Sequence, residues 1–449
     1  MPFSPLFVPA EMAEAVGDRA WIGAMLEAEA ALARAEASAG VIPEVAAAEI
    51  ARCCDPERFD AAALAEEARA VANPAEPLAR SLRRAVTPDA ARYVHFGATS
   101  QDIVDTAAML VTRRALACLD AELTDLASSL AALAERHRDT LMVGRTLLQQ
   151  AVPITFGLKA AGWLEGVSRA RSALRRLHPE CLAVQLGGAA GTLAALDDAG
   201  PPVIEEYARL LRLAAPALPW HTERSRIAQI GAALAAEAGT LDKIALDIIL
   251  LSQTEVGEVA EGSDGSRGGS STMPQKRNPV GSVLTRACAR QAQAAGETLL
   301  RCMAQEHERA AGAWQAEWQA LSDALAFTGG AAHALAGAVS GLQVDAARMR
   351  EHLDRSRGLV MAERVSLLLS ERAGRATAHE LLRAASGRIQ SGAGTLRDAL
   401  LADEEVRRHL SAPEIDAALD PATYLGATGA FIDRALAHHR QVCRQEAEE

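Results

Sequence analysis

Residues 268–279 read Gly-Gly-Ser-Ser-Thr-Met-Pro-Gln-Lys-Arg-Asn-Pro. This segment gathers two hydroxyls (Ser270 and Ser271), one ammonium (Lys276) and one amide (Asn278). Glycine has no side chain, so the backbone of such a loop can approach a ligand closely. A hydroxyl can move a proton, while Lys276 and backbone N–H groups can hold negative charge. The composition therefore predicts a loop that performs chemistry on an anionic substrate.

The positive charge near this loop contrasts with an acidic chain. The formal net charge of the 449 residues is −12, which argues against nucleic acid or an anionic membrane surface as a partner. A polyanionic substrate therefore needs a local basic site, which residues 267–290 can supply. Only Lys159, Lys243 and Lys276 are lysines among the 46 basic residues. A lysine inside the loop indicates that a compact ammonium is required there.

The apolar stretches, the first residues and the cysteines predict where in the cell the protein resides. No stretch approaches the roughly 20 apolar residues that cross a bilayer, and the start Met-Pro-Phe-Ser-Pro lacks a basic and then apolar leader. The seven cysteines are an odd number without metal-ligand spacing. Reduced thiols in a cytoplasmic location fit this pattern, and no metal site is predicted.

The chain has a helical composition. Alanine and leucine dominate, aromatic residues make up 3%, and no proline occurs in the 133 residues of 280–412. Thr99 and Asp102 form a capping pair that predicts a helix start, and residues 101–143 then contain neither glycine nor proline. A three-four leucine spacing within that stretch indicates a bundle seam, formed by Leu116, Leu119, Leu123, Leu126, Leu130 and Leu133.

The predicted fold is all-α with a central bundle of long helices. With 449 residues, two or three domains are expected. The predicted domains are an N-terminal helical domain (1–105), a central long-helix bundle with the signature loop (106–350) and a small C-terminal helical domain (351–449). Further helices are predicted over 158–178, 222–256, 280–310 and 313–350.

The length of the predicted helix over 101–143 has a consequence for assembly. At about 1.5 Å per residue it would span about 65 Å. One polar motif (His95 to Ser100) precedes it and another (Gly144 to Gln150) follows it. One chain cannot bring both motifs to a single small molecule unless the helix breaks. If both serve one site, different subunits supply them, so we expect a homo-oligomer with sites at subunit interfaces.

Three strings carry a resemblance to a known family. They are His95-x-Gly97-x-Thr99-Ser100, Gly144-Arg145-Thr146 and Ser270-Ser271-x-Met273-Pro274-x-Lys276-x-Asn278. Together they resemble the fumarase/aspartase superfamily, and the likeness is strongest to its lactone-forming branch. The resemblance implies an all-helical three-domain subunit and a homotetramer whose active sites each draw on three subunits. It implies a small polycarboxylate substrate and no metal or organic cofactor.

The resemblance also implies roles for individual residues. Ser270 would move the carbon-bound proton, and Lys276 and Asn278 would stabilise the doubly charged carboxylate of the carbanion. His95 would orient a carboxylate or stabilise the leaving group, with a structural role as the alternative. Thr99 and Ser100 would hold carboxylates or simply cap the helix. The other predicted substrate-binding residues are Arg145, Thr146, Gln150, Ser271, Met273 and Arg309, while Trp220 and His221 are weaker candidates.

One departure from the superfamily narrows the reaction. Members that release an amine carry histidine where this chain has Leu147 and Gln150. An amine leaves badly without a proton donor, whereas a carboxylate with a pKa near ~4 leaves unaided. The sequence therefore favours opening or closing a lactone. Another lyase that releases a good anion, such as nitrite, stays open, as does an inactive scaffold; the intact Ser270, Lys276 and Asn278 argue against the scaffold.

Overall fold

A computed structural model describes residues 4–262, 269, 273, 276–392 and 394–448. The regular structure of these residues is almost entirely helical, which confirms the predicted all-α class. Ser270 and Ser271 lie outside the described residues.

The first eight helices include the longest one. Their bounds are α1 (Ser4–Phe7), α2 (Ala10–Val16), α3 (Asp18–Ser38), α4 (Glu44–Cys53), α5 (Ala61–Ala68), α6 (Ala75–Ala85), α7 (Pro88–Ala91) and α8 (Ser100–Arg136). Five more helices complete the central part: α9 (Phe156–Cys181), α10 (Gly200–Leu211), α11 (Ser225–Ser252), α12 (Val280–Arg301) and α13 (Ala313–Ser340). The long helices confirm the predicted helical stretches, although α12 and α13 end about ten residues early.

The C-terminal helices are shorter. They are α14 (Ala346–Arg355), α15 (Ala362–Ala373), α16 (Arg375–Gln390), α17 (Leu396–Ala402), α18 (Glu404–His409), α19 (Ala412–Ala418) and α20 (Thr428–Glu448). Within the described residues, two small antiparallel pairs of strands interrupt the helices: β1 (Leu141–Thr146) with β2 (Gln149–Thr155), and β3 (Val259–Ala260) with β4 (Gln343–Val344). None of the described helices has the length and apolar composition to span a bilayer.

Contacts divide the chain into two compact units. Unit 1 comprises residues 1–125, 169–245 and 281–336, and unit 2 comprises residues 126–168, 246–280 and 337–449. Both units combine segments that are distant in sequence. The division into three domains at residues 105 and 350 stays a prediction.

Helix α8 is shorter than the predicted 101–143. It has 37 residues, or about 55 Å at ~1.5 Å per residue, and ends at Arg136. The chain then turns, since the Thr140 N–H donates to the His137 carbonyl (3.1 Å). The first N–H groups of α9 close the turn: Phe156 donates to Thr140 and Gly157 to His137, both at 2.9 Å. The predicted continuation to Val143 is wrong because residues 141–155 form the hairpin β1–β2 instead.

The predicted leucine seam of α8 is largely buried. Leu119, Leu123, Leu126, Leu130 and Leu133 are all buried, and Leu116 is half-buried. Burial on one stripe follows from the three-four spacing, because residues three and four apart share a helix face. The seam therefore forms core, as the sequence predicts.

Unit 1 also has a charged core. Arg224, on the turn before α11, is fully buried and donates to both oxygens of Asp105 (2.8 and 3.0 Å) and to Glu317 (3.1 Å). The Trp314 indole N–H donates to Asp105 (2.9 Å), and the Trp220 ring lies 4.8 Å from the guanidinium. Burial opposes the charge of Arg224, but the two carboxylates outweigh it and raise its pKa. Removing one partner of such a pair typically costs about 3–5 kcal/mol.

In unit 2 the hairpin packs against the C-terminal helices. Val143 of β1 forms a buried cluster with Leu353 of α14 and with Val360 and Met361. Burial of apolar surface contributes roughly 25 cal/mol of stabilisation per Å². The burial of these side chains therefore holds the base of the hairpin against α14. The polar end of the hairpin extends from this anchored base.

Candidate functional site

The predicted site residues are divided between unit 1 and unit 2. In unit 1, His95 has a left-handed backbone with φ of 62°. That conformation is uncommon outside glycine and points to a functional or packing constraint. The His95 side chain is 12% exposed, and its Nδ1 donates to the buried Glu29 carboxylate at 2.6 Å.

Glu29 controls the charge of His95. Burial disfavours the charged imidazole, but the charge and hydrogen bond of Glu29 outweigh burial and raise the pKa of His95. Glu36, two turns along α3, is also buried, and burial together with the charge of Glu29 raises its pKa to about 9. Glu36 is therefore neutral near pH 7, and the contact with Glu29 favours the protonated form of His95.

Thr99 and Ser100 are half-buried at the start of α8. The Thr99 N–H donates to the Asp102 carboxylate at 2.9 Å, which is one half of the predicted capping pair. Helix N-termini favour anions because their first N–H groups lack helical partners. The position suits a carboxylate of a substrate, and the binding roles of Thr99 and Ser100 stay predictions.

Asp102 links this helix start to a distant loop. Its fully buried carboxylate also accepts the N–H groups of Gly187 and Gly188 (3.0 and 2.9 Å). His221 Nε2 lies 2.6 Å from the same carboxylate. Four polar contacts, including that from Thr99, thus compensate for the burial of one charge. Asp102 therefore joins the start of α8 both to the 187–188 loop and to His221.

Arg309 holds the same loop from another side. Its guanidinium donates to the carbonyls of Gly188 (3.1 Å) and Ala189 (2.7 Å) and to the Gln101 side chain (3.1 Å). Gly188 has φ of 66°, and a Cβ there would lie 2.8 Å from the Gly97 carbonyl oxygen. Only glycine fits that approach. The contacts make Arg309 a support of the loop, and its predicted contact with substrate stays a prediction.

In unit 2, the hairpin presents the second motif. The strands pair as far as Thr146 and Gln149, which leaves Leu147 and Leu148 as a two-residue turn. Both leucines have left-handed backbones (φ of 50° and 64°), and they are 96% and 77% exposed. Tight hairpin turns demand this conformation and usually use Asn or Gly for it. Thr146 and Gln150 are exposed beside the turn, where both are available to a ligand.

Arg145 on β1 has a partner within unit 2. Its two terminal nitrogens donate to the two oxygens of Glu258 at 2.9 and 2.7 Å. Glu258 is fully buried and also accepts from His352 Nδ1 at 2.6 Å. The guanidinium fork predicted to bind substrate is thus occupied by a carboxylate of the same unit. Direct substrate binding by Arg145 stays a prediction, and its observed contact is with Glu258.

The signature loop is described in part. Met273 and Lys276 are exposed, Asn278 is half-buried, and the Lys276 N–H donates to the Met273 carbonyl at 3.0 Å. An exposed Lys276 ammonium is available to an anion. The roles of Ser270 and Ser271 fall outside the described residues.

Several residues of these clusters were missed by sequence reasoning. Glu29, Glu258 and His352 gave no signal, because each stands among other charged residues and meets its partner only through the fold. Asp102 was recognised only as a helix cap. His221 was a weak candidate, and its pairing with Asp102 supports a positioning role.

Comparison with known families and proteins adds to this geometry. A sequence model described as "Lyase" matches residues 9–294, and one described as "Adenylosuccinate lyase C-terminus" matches residues 358–435. A 3-carboxy-cis,cis-muconate cycloisomerase of Bradyrhizobium diazoefficiens is 49% identical over 440 residues, covering 96% of this chain and 98% of that protein. A nitrosuccinate lyase of Streptomyces davaonensis is 47% identical, covering 96% of this chain and 94% of that protein.

A solved structure resembles this chain over nearly its whole length. The 3-carboxy-cis,cis-muconate lactonizing enzyme from Pseudomonas putida superposes with a TM-score of 0.92 at 43% identity. The match covers 98% of this chain and 99% of that one.

Proposed function

The chain belongs to the lyase family of the fumarase/aspartase superfamily, and from this premise we propose that it is a 3-carboxy-cis,cis-muconate cycloisomerase. It would close that tricarboxylate to 4-carboxymuconolactone in the protocatechuate branch of aromatic catabolism. The likeness to curated cycloisomerases at 49% and 46% identity supports the proposal.

The reaction adds one carboxylate of the substrate across a carbon–carbon double bond. A C–O bond forms, and the electron pair of the double bond moves to the neighbouring carbon and into its carboxylate. Ser270 delivers a proton to that carbon and recovers one from solvent. Lys276 and Asn278 stabilise the doubly charged carboxylate before the proton arrives. In the reverse direction Ser270 removes the proton, and the ring oxygen leaves as a carboxylate.

The remaining residues would hold the other carboxylates. Thr99 and Ser100 offer hydroxyls at the start of α8, and Thr146 and Gln150 offer a hydroxyl and an amide beside the hairpin turn. Because Glu29 accepts from Nδ1 of His95, the substrate would meet that ring through Nε2. The raised pKa of His95 favours an imidazolium there, which suits an anionic ligand.

The identity to curated cycloisomerases carries this proposal, and the hairpin turn is the structural observation that supports its type of leaving group. The tip of the hairpin consists of two exposed leucines flanked by Thr146 and Gln149, and Gln150 follows. None of these side chains is an acid that could protonate a leaving amine. A carboxylate needs no such donor, because it leaves as a stable anion. The tip therefore supports a reaction with a good leaving group over adenylosuccinate-type cleavage.

The second candidate is a nitrosuccinate lyase. It is favoured by the 47% identity to a relative of that name and by the same leaving-group argument, since nitrite is also a stable anion. The test is an ultraviolet assay that follows loss of the conjugated muconate, run beside an assay for nitrite release from nitrosuccinate. Loss of muconate absorbance without nitrite release is expected. Turnover of nitrosuccinate alone would replace the first proposal with the second.

A homotetramer with sites shared between subunits, in a reducing cytoplasm, completes the proposal. The resemblance to the superfamily supports it, because it implies a homotetramer whose active sites each draw on three subunits. Mixing an inactive His95→Ala variant with an inactive Gln150→Ala variant should restore some activity in hybrid oligomers. Hybrids that stay inactive would contradict shared sites.

A further inference from the structure

We infer that Glu258 and His352 are positioning residues for the reaction, acting through Arg145 on the hairpin that presents Thr146 and Gln150. The activity arm of this inference rests on the proposed function; the structural arm does not. All five residues belong to unit 2.

Glu258 holds Arg145 in a defined geometry. Its carboxylate is fully buried and accepts three hydrogen bonds: two from Arg145 (2.9 and 2.7 Å) and one from His352 Nδ1 (2.6 Å). A bidentate pair fixes the plane and the direction of the guanidinium. The third donor orients the carboxylate itself. Arg145 therefore has one defined position for as long as Glu258 is charged and held by His352.

Arg145 lies next to the turn of the hairpin. It pairs with Gln150 in the β1–β2 register, and Thr146 follows it directly in the chain. The next two residues, Leu147 and Leu148, have left-handed backbones that Leu adopts reluctantly. A turn of this kind persists only when its surroundings fix it. The clamp on Arg145 is the fixed point nearest to the turn on β1.

The backbone of Glu258 connects it to the small β3–β4 pair. Its own carbonyl accepts the Asp345 N–H at 2.9 Å, and the next residue begins β3, which pairs with β4. Within the signature loop, Arg277 donates to Gln343 of the same strand β4 at 3.3 Å. A described residue of the loop and the segment that precedes the loop are thus both attached to β4. Glu258 joins this support to the hairpin through one ion pair.

Positioning of the hairpin and direct substrate binding by Arg145 predict different effects of removing the Glu258 charge. If Arg145 bound substrate directly, removing the Glu258 charge would release the guanidinium and leave or improve affinity. If the cluster positions the hairpin, removing either partner displaces Thr146 and Gln150. A misplacement of about 1 Å can cost about 10²-fold in rate. Arg145 and Glu258 act as one unit, so the losses in rate caused by the two substitutions should not multiply.

The experiment compares Glu258→Met, Arg145→Met and the double variant Arg145→Met/Glu258→Met, with Glu258→Gln as a second, isosteric change at Glu258. Each should lose about 10²-fold in kcat/KM, and the double variant no more than either single one. The double variant should regain thermal stability that Arg145→Met loses, because the buried carboxylate that has lost its guanidinium partner is no longer present. Recovery of stability without recovery of rate separates positioning from simple folding. A Glu258→Gln enzyme with full kcat/KM, or losses that multiply, would overturn the inference.

His352 is tested by a conservative pair. His352→Gln keeps a donor for Glu258 and should retain most of the rate, whereas His352→Leu removes it and should lose about tenfold or more. Equal rates in these two variants would contradict the role of His352. The matched control is His438→Gln, which removes a histidine paired with Glu165 at 2.8 Å elsewhere in unit 2. It should leave both the rate and hydrogen exchange of the hairpin unchanged.

Hydrogen exchange supplies the arm that needs no substrate. Amides of residues 141–155 should exchange about tenfold faster or more in Glu258→Gln than in the wild type, because the hairpin loses its clamp. If the wild type fails to convert 3-carboxy-cis,cis-muconate but exchange rises as expected, the proposed function fails and the clamp stands. Unchanged exchange in Glu258→Gln would refute the clamp whatever the enzyme converts.

Discussion

Glu237 on α11 gives a prediction about stability whose size follows from its burial. The residue is fully buried, and neither of its carboxylate oxygens has a hydrogen-bond partner among the described residues. Burial raises its pKa from 4.5 to about 8, against a smaller opposing effect of Arg171. The perturbation is Glu237→Gln, which keeps the shape and removes the titration.

The direction of the pH dependence of stability follows from which state keeps the proton on Glu237. Between pH 4.5 and 8 the native state keeps the proton on Glu237 while the unfolded chain has released it, so stability falls as pH rises through this window. At about 1.36 kcal/mol per pKa unit, the cost is on the order of 2 kcal/mol at pH 6 and 4 kcal/mol at pH 8. Glutamine avoids this cost, because it stays neutral in both states.

The assay is thermal unfolding of Glu237→Gln and wild type at fixed protein concentration, since assembly makes Tm concentration-dependent. At about 2.1 cal/mol/K per residue, a 449-residue chain has an unfolding entropy near ~0.9 kcal/mol/K. The variant should therefore melt about 2 °C higher at pH 6 and about 4 °C higher at pH 8. The decisive quantity is the increase with pH of the Tm difference between Glu237→Gln and the wild type.

Glu205→Gln is the matched control, because Glu205 is an exposed carboxylate on α10 of the same unit. Its substitution should change Tm by less than about 1 °C, as surface changes typically do. A Glu237→Gln difference that stays constant from pH 6 to 8, or shrinks, would refute the argument from burial.

Three further predictions concern the chemistry. Ser270→Ala should abolish turnover and leave the oligomer intact by size-exclusion chromatography; comparable activity would remove Ser270 from its role. Lys276→Met should lower both affinity and rate, and Lys276→Arg should not restore them fully in steady-state kinetics, because a guanidinium is not a compact ammonium; full restoration would contradict that reason. Glu29→Gln should lower the pKa of His95, so that the alkaline fall of the pH–rate profile moves to lower pH; an unmoved profile would dissociate Glu29 from His95.

The helices could be predicted from sequence because their signals are local. Apolar residues three and four apart define one face, and the seam of α8 is buried where that spacing places it. The start of α8 was predicted by Thr99 and Asp102, and the Thr99 N–H does donate to the Asp102 carboxylate. The three additional partners of Asp102 could not be predicted, since they come from residues about 80 to 120 positions away.

The hairpin was missed for a physical reason. Residues 137–146 contain no glycine or proline before Gly144, and the turn uses Leu147 and Leu148 where a two-residue hairpin usually has Asn-Gly. Local preference therefore favoured a longer helix. Tertiary contacts override it: Val143 packs with Leu353, and Arg145 binds Glu258.

Arg145 shows why a motif identifies a site more securely than it assigns a role. The residue stands in a superfamily string and has the side chain best suited to bind a carboxylate, and it does bind one. That carboxylate belongs to Glu258, 113 positions along the same chain, so the interaction is intramolecular and buried. Lys276 offers the contrast, because it is exposed and can meet an external anion. Both side chains are cations within motifs, and only the fold tells which one is already neutralised. Among the described residues, an exposed motif cation such as Lys276 is therefore a better candidate for direct contact with substrate than a motif cation that is already paired with a buried carboxylate.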